Sequence, residues 1–230
     1  MPYLGLETIR RGKTAECVQD IFTLHFPTAR TVLDATYGLG RFWDWDHSLK
    51  VFGVDVEPQD GCKVLASYEA LPFQRKSVDV LCFDPPFIFT PGINRIIGTK
   101  RFFLGAESRK SDFSDDDARE QKWVAASHEL RKPKNPAQLL RQTTRVLLAA
   151  KRLAVQGCIL KGQDLIVSKP DWWVFNVMKK AEQLGLGMPK DILIQHSPAH
   201  RMRDPRWKNQ YHFRRSHCYY IIYKWPCASA

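Results

Sequence analysis

Three short apolar runs in this chain each end on an aspartate. TVLD closes on Asp34, VFGVD on Asp55 and VLCFD on Asp84. Runs of this length, rich in valine, leucine and phenylalanine, read as buried strands. After the third run come Pro85 and Pro86, then Phe87. Two prolines in a row cannot continue a strand ladder or a helix interior, so the chain must leave the sheet there. In open parallel sheets, ligands gather beyond the carboxyl ends of the strands. The expected fold is α/β, with a ligand site built where these runs stop.

The rest of the chain alternates in the same way. Residues 14–25 place Val18, Ile21, Phe22 and Leu24 at near-helical spacing. CKVLAS reads as a short third strand between the second and third runs. After Pro136, AQLLRQTTRVLLAAKRLA is an amphipathic helix, and VQGCILKGQDLIV holds a fifth strand. WWVFNVMKKAEQLG is a helix stopped by Gly185 and Gly187, with Trp172 and Trp173 at its start expected to pack on the sheet. KDILIQHS and RSHCYYIIYKW supply a sixth and a seventh strand. The chain is read as one domain over residues 1–230, with no internal repeat. Residues 88–136 are an insertion too long for an ordinary loop, expected to bind or recognise substrate.

Charge narrows the partners. Thirty-five Lys and Arg face 24 Asp and Glu, a formal charge of +11. That balance suits an anionic partner such as nucleic acid. The segment 197–215 concentrates it. Arg201, Arg203, Arg206, Lys208, Arg214 and Arg215 interleave with Trp207, Tyr211 and Phe213. Cations suit phosphates and aromatic rings suit bases, so Arg201, Arg203, Arg206, Trp207, Lys208, Arg214 and Arg215 are the expected nucleic-acid contacts. If the seventh strand is antiparallel, this link opens at the carboxyl edge of the sheet. No secretory leader is visible, and no apolar run approaches the ~18 residues of a membrane span. The expected location is cytoplasmic, with no membrane partner. Six scattered cysteines read as reduced thiols packed as small hydrophobes. His196 and His200 are spaced H-x-x-x-H, but no cysteine pairs complete a zinc set, and no metal is expected.

The loop after the first run, LDATYGLG, carries Asp34, Thr36, Gly38 and Gly40. Glycines there let the backbone approach a ligand. The spacing is neither a dinucleotide fingerprint nor a P-loop. An acid at the end of the second strand, Asp55, is placed to bind ribose hydroxyls. With LDATYGLG, GVDVE, SYEALPF and DPPF in that order, the stretch Thr31–Phe87 resembles the class I S-adenosylmethionine-dependent methyltransferases. Tyr37 and Leu39 depart from that family's small-residue loop.

The resemblance implies a doubly wound, mostly parallel seven-stranded sheet whose last strand is antiparallel. It implies S-adenosylmethionine as cofactor. Asp34, Thr36, Gly38 and Gly40 would line its methionine part, Asp55 would hold the ribose, and Ser67 and Tyr68 would lie near the adenine. DPPF is similar to the [DNS]-P-P-[YFW] motif of the amino-methyltransferases acting on adenine N6, cytosine N4 or guanine N2. Asp84 and the Pro85 carbonyl would accept hydrogen bonds from a base amine, Pro86 would stiffen the turn, and Phe87 would stack on the base. The resemblance favours adenine N6 in DNA. RNA adenine N6 or guanine N2, and cytosine N4 in DNA, stay open, as do a small molecule, a protein glutamine and a binding subunit without activity. Lys161 and Asp164 would sit near the active face.

Overall fold

The computed structural model describes residues 4–86, 133, 135–167, 169–196 and 217–226. An eight-stranded sheet spans the molecule, in the order β1-β9-β10-β6-β5-β2-β3-β4. Its strands are β1 (Ile9–Arg11), β2 (Thr31–Asp34), β3 (Lys50–Asp55), β4 (Cys62–Leu65), β5 (Val78–Phe83), β6 (Ala154–Gly162), β9 (Asp191–His196) and β10 (His217–Lys224). A separate two-stranded hairpin pairs β7 (Leu165–Val167) with β8 (Lys169–Asp171). The run β4-β3-β2-β5-β6 is parallel throughout. β10 alone is antiparallel to both its neighbours, β6 and β9. All seven expected strands are therefore present, with the last one reversed.

The three-residue β1 is an addition, parallel to β9 on the sheet's edge. Its sequence IRR has no apolar alternation, so nothing local marks it as a strand. The expected fifth strand is also shorter than its apolar run. It ends at Gly162, and the following LIV joins the hairpin instead.

Among the described residues, three helices cover the sheet. Helix α1 (Thr14–His25) buries Ala15, Cys17, Val18, Ile21, Phe22 and His25. Of these, Cys17, Val18, Ile21 and Phe22 pack with Val32, Val80, Cys82, Ile159, Tyr220 and Ile222 on one face. Helix α2 (Pro136–Leu153) and helix α3 (Trp173–Gln183) cover the opposite face over Leu33, Val54, Leu81, Phe83, Cys158, Leu160 and Ile221. The two lists alternate along β2, β5 and β6, as the period-two geometry of a strand requires. Each buried aliphatic side chain contributes about 1.5–3 kcal/mol, so both layers are needed to hold the sheet.

Local sequence sets the helix ends. The Asn135 side chain accepts the Gln138 N–H at 2.8 Å, and Pro136 occupies the first turn. That satisfies an orphan donor where proline's missing N–H is harmless. α3 ends where Gly185 takes φ +69° and the Leu186 N–H returns to the Ala181 carbonyl. Trp173 is fully buried against Gly162 of β6, a glycine whose added Cβ would strike the indole. Trp172 departs from expectation. It precedes the helix and remains 56 % exposed. The five described cysteines are free, and Cys17, Cys82 and Cys158 are buried among apolar side chains. No helix among the described residues is long and apolar enough to cross a membrane.

Candidate active site

Asp34, Asp55 and Asp84 sit at the carboxyl ends of the adjacent strands β2, β3 and β5. The strand period sends Asp34 and Asp84 toward the α1 side, in line with Val32 and Cys82. Lys161 on β6 continues the same row from Ile159.

Asp34 organises the first loop. It is 2 % exposed, and its oxygens accept the Thr36 N–H at 3.1 Å and the Trp43 indole N–H at 2.8 Å. Trp43 belongs to a single 3-10 turn, Arg41–Trp43, and packs edge-on against Phe22 and Phe42. Burial pushes the Asp34 carboxyl up to about 7, against the pull of these two donors. Nothing in the residue types of RFWDW announces this role for Trp43, and the sequence reading did not assign it.

Asp55 holds the loop from the next strand. Its two oxygens accept the Gly38 N–H at 2.9 Å and the Glu57 N–H at 3.1 Å. Gly38 and Gly40 both take positive φ, at 52° and 68°. Tyr37 lies between these anchors. A Cβ placed at Gly40 would stand 2.8 Å from its hydroxyl, and Cβ atoms at Gly53 and Gly61 would also collide with it. Three glycines from separate segments thus form a slot for one ring. This explains how the loop tolerates a tyrosine among small residues.

Asp84 is tied to the same loop and to β6. Its N–H donates to the Thr36 hydroxyl oxygen at 2.7 Å. Its Oδ2 accepts from the Lys161 ammonium at 2.9 Å. The pairing of Phe83 with Leu160 sets these next residues side by side. Pro85 is buried and Pro86 exposed. Asp164, two residues past β6, is buried and caps α3 through the Val174 N–H at 3.1 Å. It thus serves the helix.

Ser67 and Tyr68 follow β4. The Ser67 hydroxyl accepts the Glu69 N–H at 3.2 Å, in a tight local turn. Tyr68 packs edge-on against Phe83 at 5.2 Å, and its buried hydroxyl has no partner among the described residues. Burial pushes that phenol up to about 12.

Phe87, the insertion 88–136 up to Lys132, Lys134, and the contacts expected at Arg201, Arg203, Arg206, Trp207, Lys208, Arg214 and Arg215 lie outside the described residues. The roots of the basic segment are described. His196 ends β9, His217 begins β10, and the two are register partners. β9 runs in the direction of β6, so the segment leaves from and returns to the edge that carries Asp34, Asp55 and Asp84.

No protein-family model matches the chain, and no curated protein matches it. Among solved structures, it is similar to a protein from Clostridium thermocellum provisionally named an rRNA-methylase. The two share 12% identity at a TM-score of 0.41, over 93% of this chain and 98% of that one. A likeness this remote says nothing about chemistry.

Proposed function

We propose that the protein transfers a methyl group to an exocyclic amine of a nucleic-acid base, with adenine N6 in DNA as the favoured acceptor. The observation that carries this reading is the attachment of Asp84 to the glycine loop through Thr36. It joins a rigid acceptor turn to a loop suited to a nucleoside cofactor. An amine on a nucleobase is a poor nucleophile, because its lone pair is delocalised into the ring. Accepting its N–H groups at Asp84 and at the Pro85 carbonyl drives the nitrogen toward a tetrahedral shape. The remaining work is positioning and electrostatics.

The residues present fit S-adenosylmethionine. Asp55 spends one hydrogen bond per oxygen on the backbone and keeps acceptor capacity for a ribose diol. Tyr68 packs against Phe83 at the end of β5, the strand that leads into Asp84, and so stands beside the proposed site. When bound, the cofactor would supply an electrophilic sulfonium methyl to the base nitrogen, with the neutral thioether as the leaving group. Asp84 would accept the nitrogen's surplus proton and pass it to water.

Nucleic acid as the partner rests on the +11 charge and on the placement of the 197–215 segment's two roots at the site's edge. The test is methyl-labelled cofactor with duplex DNA, comparing the protein with Asp84→Ala. Label in DNA from the first and none from the second supports the reading. Equal labelling removes Asp84 from the chemistry.

A further inference from the structure

Lys161 is a lysine in an expensive place. Its side chain is 12% exposed, and its ammonium lies 5.5 Å from the Phe42 ring centre and 5.8 Å from that of Tyr220. Both rings belong to the buried α1-side layer. The Tyr220 ring is itself held, since its hydroxyl donates to Gln195 at 2.8 Å. An ammonium removed from water costs several kcal/mol, and a methionine or leucine of similar volume often serves stability as well. The ion pair with Asp84 compensates part of that cost. Stability alone gives a weak reason for this residue to be a lysine.

We propose that Lys161 is a positioning residue for methyl transfer, fixing the Asp84 carboxylate so that Oδ1 alone is presented to a neutral N–H donor. This rests on the function proposed above. A carboxylate attached by one Cβ–Cγ bond turns freely unless something holds it. The 2.9 Å contact to Oδ2 sets its plane, and the Thr36 hydroxyl fixes the backbone from which it hangs. The Lys161 contact is to Oδ2, which leaves Oδ1 without a hydrogen bond among the described residues. With the Pro85 carbonyl, Oδ1 would form the two-acceptor fork that the proposed chemistry needs. The ion pair has no net charge, and its positive end is close. A cationic amine entering the fork meets that ammonium, whereas an uncharged base amine does not. Lys161 therefore also favours amide-like and heteroaromatic amines over lysine or arginine side chains.

The test uses Lys161→Met, Lys161→Arg, Asp84→Asn and the Lys161→Met/Asp84→Asn double variant of the full chain. Turnover on nucleic acid is measured beside S-adenosylhomocysteine affinity by calorimetry. Lys161→Met is expected to lose about 100-fold in kcat, the scale of one preorganised electrostatic contact. Its affinity for S-adenosylhomocysteine stays within about threefold, which separates positioning from a general loss of fold. Lys161→Arg restores a substantial share of kcat because it keeps the charge and a donor. The double variant is no slower than Asp84→Asn alone, as required if Lys161 acts through Asp84. Lys161→Met with wild-type kcat, or additive losses in the double variant, overturns the proposal and leaves the proposed function standing. A wild-type protein that methylates no nucleic acid overturns both.

Discussion

The Thr36 hydroxyl oxygen accepts the backbone N–H of Asp84 at 2.7 Å, joining residues 48 positions apart. The bond fastens the loop after β2 to the first residue beyond β5. It adds a side-chain link to the backbone bond from the Ala35 N–H to the Cys82 carbonyl, 2.9 Å long, that joins the same two segments. Thr36→Val keeps the shape and removes the acceptor. It leaves a part-buried N–H unpaired, at a cost of about 1–3 kcal/mol. Turnover is expected to fall more than cofactor affinity, and Thr36→Ser is expected to recover both. Steady-state kinetics with calorimetry on the two variants checks this.

Asp55 and Asp84 are expected to fail differently. Asp84→Ala abolishes turnover and leaves cofactor affinity nearly unchanged, because no loop N–H depends on its carboxylate among the described residues. Asp55→Ala weakens cofactor binding first, since it also releases the Gly38 and Glu57 N–H groups. Calorimetric titration of both variants distinguishes the two roles.

The Tyr37 slot makes a packing prediction. Gly53→Ala places a methyl group inside the tyrosine ring's space and should cost about 1–3 kcal/mol, as overpacking does. Tyr37→Ala should make the same glycine substitution far less harmful. Chemical denaturation of the two single variants and the double variant measures that coupling directly.

Asp34 makes a pH prediction. Burial raises its carboxyl from 3.8 to about 7, so the folded protein holds this proton more tightly than the unfolded chain. The stability it contributes is full below its unfolded value and is lost as pH rises through about 7. Asp34→Asn removes this titration. Its amide has one acceptor for two donors, so its stability starts lower. The gap from wild type should narrow as pH rises across that window. Thermal unfolding across the window checks it, and parallel curves would count against a raised Asp34.

The basic segment predicts a salt effect. Reversing charge at Arg201, Arg203 and Arg206 should weaken nucleic-acid binding and flatten its dependence on salt, because fewer counterions are released. Titration at several ionic strengths measures both changes.

Much of this architecture is legible in the chain itself, and the exceptions have physical causes. Asp34, Asp55 and Asp84 could be placed because each ends an apolar run, and because the prolines after Asp84 forbid continuation. Helix α1 matches its predicted bounds, since its apolar residues repeat with the helical period and Pro27 follows its end. Lys161 could be placed near the site but not against Asp84. That contact depends on the register of β5 with β6, set across more than seventy intervening residues. The Tyr37 slot draws on Gly40, Gly53 and Gly61, which share no local pattern. β1 is invisible locally because its pairing with β9, not its composition, makes it a strand.

The central claim is methyl transfer to a base amine, and its most direct measurement is product identification. The protein is incubated with labelled S-adenosylmethionine and, in parallel, unmethylated duplex DNA, single-stranded DNA and total RNA. Each sample is digested to nucleosides for mass spectrometry. The account predicts N6-methyladenine from DNA. Label on a base amine of RNA alone would keep the chemistry and move the substrate. Label on a ring carbon or a ribose, or none on any nucleic acid, would contradict the account.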